Sequence, residues 1–235
     1  VTKAVPPREE YTRTYSSSDA GLSALMENFA KDHPGTYGVS MIELDGKKRR
    51  AEYNGDKQFV TASTYKLLVA YSLLKRIDSG ARSWDSDQAC FNKMISLSDN
   101  ACAESFLNAI GVSTLTSEAN AIGLKNSTFM KGGGPYTTAN DQALLLGMIA
   151  TGQNFSSANQ QRLLEAMKKN VFRKGIPAGV SGTVADKVGF MNGLLHDSAI
   201  VYGSHGTYVL SIMTDGASWE AIADLAKQLD ALRAQ

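Results

Sequence analysis

The apolar residues Leu22, Leu25, Met26, Phe29 and Ala30 recur at the spacing of one helical face, and Ser18 and Asp19 stand ahead of them as caps, so the pattern predicts a first helix. A strand-like run, Tyr37 to Leu44, then meets the turn signal Asp45-Gly46 and returns through Arg49 to Tyr53, which reads as a hairpin closing at Asn54-Gly55. Residues 63–78 are apolar on nearly every side, with Lys75 and Arg76 in the last turn and Ser79-Gly80 as the stop; a helix of that kind belongs at the centre of a fold. Helical segments broken by Gly and Asn follow at about 87–96, 99–110, 113–122, 138–151 and 157–170. Strand patterns return at Thr183 to Phe190, Ser198 to Tyr202 and Thr207 to Met213, and a helix from Ser218 to Arg233 closes the chain.

This order predicts an α/β protein of the α+β kind. A five-stranded antiparallel sheet, built from both ends of the chain and flanked by the terminal helices, stands beside an all-helical lobe. The implied division is a polar linker over 1–17, a discontinuous α/β lobe over 18–60 and 175–235, and a helical lobe over 61–174.

Charge narrows the function classes. Lys and Arg number 24 against 23 Asp and Glu, a net charge of +1, which argues against a nucleic-acid partner. At 43% hydrophobic and 20% charged, the chain has the composition of a globular protein rather than a disordered one. No apolar run approaches the ~20 residues of a membrane span. The sequence opens at Val1 on about 17 polar residues, expected to be a linker from which an upstream segment has been trimmed. Cys90 and Cys102 form no Cys-x-x-Cys pair, so neither metal nor cofactor is expected; a disulfide in an oxidising compartment and two buried free thiols both remain open.

Several common sites are absent: no Gly-x-Ser-x-Gly elbow, no Walker loop, no His-x-x-x-His pair. His33, His196 and His205 fall in predicted loops or element ends and are expected to be exposed and non-catalytic; Gly132–Gly134 reads as a turn. What remains is Ser63 and Lys66, one helical turn apart where the central helix begins. A serine hydroxyl attacks only when something takes its proton, and at a helix N-terminus its backbone N–H is free to stabilise an oxyanion. Ser72 and Lys75 share the spacing but lie mid-helix, where that N–H is already used. Downstream stand Ser98-Asp99-Asn100, where a helix begins, and Lys187-Val188-Gly189, inside the first late strand.

Ser-x-x-Lys, Ser-Asp-Asn and Lys-Thr-Gly together mark class A β-lactamases and penicillin-binding proteins. From about residue 18 onward the sequence resembles that family, with FVTASTYKLLVAYSLLKRIDSG, SLSDNACAESFLNAIG, IPAGVSGTVADKVGF and HDSAIVYG carrying the likeness. The resemblance implies that Ser63 is the nucleophile and Lys66 its proton acceptor, and that Ser98 relays the proton to the leaving nitrogen. It also implies that Asn100 binds the substrate amide, that Asp99 buttresses the loop, and that Lys187 attracts the substrate carboxylate beside Gly189. The oxyanion hole would be the backbone N–H groups of Ser63 and Phe190. For Lys66 to act as a base near neutrality, its pKa must fall from ~10.4 by an amount worth about 4 kcal/mol.

Two features depart from the pattern, Val188 and the missing loop acid, and one, Arg173, matches only some relatives. Val188 replaces the usual hydroxyl residue. Arg173 falls where some relatives place a carboxylate-binding arginine, although an exposed helix-end arginine reads equally well. The stretch from Ala119 to Leu164 holds one acid, Asp141, which suits helix capping, so no loop glutamate is available for deacylation. The expected function is a serine hydrolase acylated by β-lactams or D-Ala-D-Ala-type amides with slow deacylation. The alternatives are a D,D-carboxypeptidase or transpeptidase, and a non-catalytic β-lactam or peptide sensor. The expected partner is a β-lactam or a peptidoglycan stem peptide, and the protein is expected to be an exported monomer, tethered if at all through its N-terminal segment.

Overall fold

The computed structural model describes residues 18–235; the expected linker at 1–17 lies outside them. Helix α1 (Ala20–Asp32) begins on the Asp19 carboxylate, which accepts the Leu22 N–H. Strands β1 (Thr36–Glu43) and β2 (Arg50–Tyr53) form the hairpin, and a two-residue strand β3 (Phe59–Val60) leads into a 3-10 turn, Ala62–Tyr65, from which α2 (Lys66–Asp78) continues. The helical block is α3 (Trp84–Ser96), α4 (Asn100–Ile110), α5 (Val112–Ala121), α6 (Ala139–Thr151) and α7 (Ser157–Lys168). Strand β4 (Tyr136–Thr137) pairs with β3, a small second sheet that periodicity could not reveal because each strand has only two residues. A one-turn helix α8 (Ile176–Gly179) precedes β5 (Thr183–Met191), β6 (Leu194–Gly203) and β7 (Gly206–Asp215), and α9 (Trp219–Arg233) ends the fold.

The five strands order as β2-β1-β7-β6-β5, all antiparallel. Register divides each strand between two cores. Val39, Met41, Ala199, Leu210 and Ile212 face α1 and α9, which contribute Leu22, Met26, Leu225 and Leu229. Ile42, Val209, Ile200 and Ala185 face the helical block, where they meet Leu67, Leu73, Phe91 and Leu145. Their neighbours in the same faces, Ser40, Ser211 and Ser198, form a row across β1, β7 and β6 that ends at Lys187 on the edge strand β5.

The late strands are longer than their apolar runs. β6 starts at Leu194 instead of Ser198 because the polar residues His196 and Asp197 are buried strand positions. His196 is thus not the exposed loop residue expected. Its Nδ1 accepts the Thr214 N–H at 3.1 Å and its Nε2–H donates to Val60 O at 2.8 Å, which fixes a neutral imidazole whose pKa burial pushes down. His33 is half-buried, stacked on Phe29 with ring centroids 3.7 Å apart, and His205 is exposed.

Cys90 and Cys102 form a disulfide joining α3 to α4, with Cα atoms 5.2 Å apart. Closing a loop of this length restricts the unfolded chain by about 2–3 kcal/mol, and here the loop contains Ser98, Asp99 and Asn100. The double variant C90A/C102A is expected to lose about that much stability in urea unfolding. A midpoint unchanged from the parent would show that the bridge adds nothing.

Candidate active site

The 3-10 turn that carries Ser63 is shaped by its neighbours. Thr61 N–H donates to Pro135 O, Thr64 Oγ–H donates to Thr61 O, and Ala62 adopts φ 45°, an uncommon conformation for a residue with a Cβ. Gly189 on β5 lies directly over this turn. A Cβ there would stand 2.8 Å from Ser63 N and 2.9 Å from Thr64 N, so only glycine lets the strand edge approach. The N-terminal amides of the turn and the edge of β5 therefore share one wall of an open groove.

That groove, about 430 Å³, is lined by Ser63, Tyr65, Asn100, Glu104, the glycines Gly133 and Gly134, and Phe190. Gly133 and Gly134 have φ of 94° and 122°, so the predicted Gly-rich turn is present, and both glycines line the groove. Phe190 is half-exposed, with its ring against Phe172 and Trp219.

Beneath Ser63 the two predicted lysines converge. Lys66 Nζ donates to Ser98 O at 2.7 Å, Asn100 Oδ1 at 2.7 Å and Ser98 Oγ at 3.3 Å. Lys187 Nζ reaches the same Ser98 Oγ at 2.9 Å and Val188 O at 2.7 Å. Ser98 offers both its carbonyl and its hydroxyl to Lys66 because its φ is 57°, next to the N-cap Asp99, whose carboxylate accepts the Cys102 N–H. Both lysine side chains are fully buried. Burial lowers Lys66 to about 8 against the opposing charges of Asp99 and Glu104. Burial, then the Lys66 charge, lowers Lys187 to about 7.

Ser63, Lys66, Ser98, Asn100, Lys187, Gly189 and Phe190 thus meet at one place. Arg173 is held elsewhere: its guanidinium donates to Asp186 Oδ1 at 2.6 Å and Val184 O at 3.2 Å, and it borders a neighbouring cavity lined by Phe172, Phe190 and Trp219. Asp186 and Asp197 are both buried behind Lys187. Burial raises both, and the charge of Asp186 raises Asp197 further, while Asp186 faces Arg173. Val188 is buried and brings no hydroxyl. Asp141 is buried in the first turn of α6, where its carboxylate holds Asn126 N–H and Ser127 Oγ–H; the cap of α6 is Thr138, not Asp141. The Ser72 hydroxyl is tied to Glu118 and Arg76 inside the protein. The groove residue that sequence reasoning missed is Glu104, although its spacing of one helical turn from Asn100 was there to be read.

With this geometry, comparison with known proteins is informative. A model of the beta-lactamase enzyme family matches residues 21–89 and 86–232, and the chain belongs to that family. Among solved structures, PBP-A superposes with a TM-score of 0.84 at 21% identity, over 91% of this chain and 96% of that one. A PBP-A mutant captured as an acyl-enzyme complex with penicillin G gives 0.84 at 21%, over 97% and 98%. The class A β-lactamase of the last common ancestor of Gram-negative bacteria gives 0.81 at 23%, over 91% and 99%. A search of the curated proteins found no match. These likenesses establish the fold.

In the roles the family resemblance implies, Lys66 would take the Ser63 proton as a neutral amine, which favours pH above about 8, and Lys187 would attract a carboxylate as a cation, which favours pH below about 7. Covalent labelling of the protein by benzylpenicillin, followed by intact mass, is expected to give a bell-shaped pH–rate profile peaking between pH 7 and 8. A rate that is flat from pH 5.5 to 9.5 would contradict the assignment of either lysine.

Proposed function

We propose that this protein is an active-site serine hydrolase that forms an acyl-serine ester with β-lactams or D-Ala-D-Ala-type amides. The observation that carries the reading is the convergence of Lys66 and Lys187 on Ser98 Oγ beside Ser63. Neutral Lys66 takes the Ser63 proton, and Oγ forms a bond to the substrate carbonyl carbon. The oxyanion is held by the backbone N–H groups of Ser63 and Phe190. As the C–N bond breaks, Ser98 gives its proton to the leaving nitrogen and regains one from Lys66. Because Ser98 Oγ already accepts from two amines, its own O–H is left to point at that nitrogen.

Lys187 attracts the substrate carboxylate beside Gly189, Asn100 divides its amide between Lys66 and the substrate, and Arg173 is a secondary contact for a long substrate. The single acid between Ala119 and Leu164, Asp141, is buried and committed, so it does not serve as the base that hydrolyses the ester. A disulfide suits an oxidising compartment, which supports export to where cell-wall peptides and β-lactams lie. No helix among the described residues is long and apolar enough to cross a membrane.

The runner-up within the same chemistry is a D,D-peptidase, and outside it a β-lactam sensor. Benzylpenicillin is expected to add its full mass once per chain and leave Ser63→Ala unmodified. A chromogenic cephalosporin is expected to give a stoichiometric burst followed by slow turnover. A plateau without turnover favours the peptidase or sensor, and the absence of any adduct on the parent overturns the acyl-serine reading.

A further inference from the structure

We infer that Glu104 is the general base that activates water to hydrolyse the acyl-serine ester. The inference rests on the acyl-serine reading above and assigns the step for which that reading has no residue. Glu104 lies on α4 one turn beyond Asn100 and therefore on the same helix face. It lines the same open groove of about 430 Å³ as Ser63, Tyr65 and Asn100, which has room for a water beside an ester on Ser63.

Unlike the other acids around the site, Glu104 is uncommitted. Asp99 caps α4, Asp141 holds residues 126 and 127, Asp186 faces Arg173 and Asn170, Asp197 accepts the Ile176 N–H, and Glu118 binds Ser72 and Arg76. No hydrogen bond or ion pair engages the Glu104 carboxylate among the described residues, and it is exposed to solvent. Its charge is felt inside the site, where it opposes the lowering of Lys66 and helps to raise the Tyr65 phenol.

The step balances without a co-reactant. A water O–H gives its proton to the carboxylate as the water oxygen bonds to the ester carbonyl carbon, and the oxyanion forms in the same backbone hole. Collapse breaks the bond from carbon to Ser63 Oγ, and the proton held on Glu104 passes to that oxygen, releasing a carboxylic acid and regenerating free serine and the Glu104 carboxylate. General-base assistance of this kind is worth about 10²–10⁴-fold. The position also explains why no acid between 119 and 164 is required: the base comes from the helix that opens with Asn100.

Glu104→Gln keeps the shape of an exposed helical position and removes the base. With benzylpenicillin the variant is expected to form the adduct within a few-fold of the parent rate, while the adduct lifetime, read by intact mass after removal of free drug, lengthens by about 10²-fold or more. Glu104→Asp is expected to recover part of the rate. An adduct that leaves the variant as fast as it leaves the parent overturns the assignment while preserving the acyl-serine reading. A parent that never forms an adduct removes that reading, and the assignment with it.

Discussion

One serine hydroxyl joins the two halves of the site. Ser98 Oγ accepts from Lys66, which rises from the helical block, and from Lys187, which enters from the edge of the sheet. Burial lowers both amines, and the charge of Lys66 lowers Lys187 further, so Lys66 stands at about 8 and Lys187 at about 7. The proposed acylation draws on the form in which Lys66 is neutral while Lys187 is still charged, and that form is most populated between those two values.

The rest of the fold holds that oxygen in place. The Cys90–Cys102 bridge closes the connection between α3 and α4 in which Ser98 takes its left-handed conformation. Gly189 lets β5 lie against the turn of Ser63, and His196 ties Val60, just ahead of that turn, to the sheet through Thr214. Behind Lys187, Asp186 pairs with Arg173 next to the buried Asp197, and the charges of the two acids oppose the lowering of Lys187 by burial. Each of these contacts joins segments distant in the chain.

That distance explains what could be read from sequence. Ser63 and Lys66, or Asn100 and Glu104, are related by a helical turn, and local spacing reveals such pairs; the five strands and the long helices were legible for the same reason, through their periods. The two-residue strands β3 and β4 have no period. His196 and Asp197 look like loop residues because their polar atoms are satisfied by partners in other elements, which hydropathy cannot register. The pairing of the cysteines depends on how α3 packs on α4, and the engagement of Arg173 depends on Asp186 across a turn and a strand. Glu104 is not evident from a stretch such as Ala119 to Leu164, where a loop acid would lie, because the groove draws its carboxylate from the helix α4.

The most direct test of this account is the titration of the two amines themselves, by NMR of protein labelled with carbon-13 at the lysine ε position, assigned with single lysine variants. Lys66 and Lys187 are expected to titrate at about 8 and about 7, well below an ordinary lysine at ~10.4. If every lysine titrates together near 10, the shared oxygen does not tune the site and the proposed activation of Ser63 is wrong.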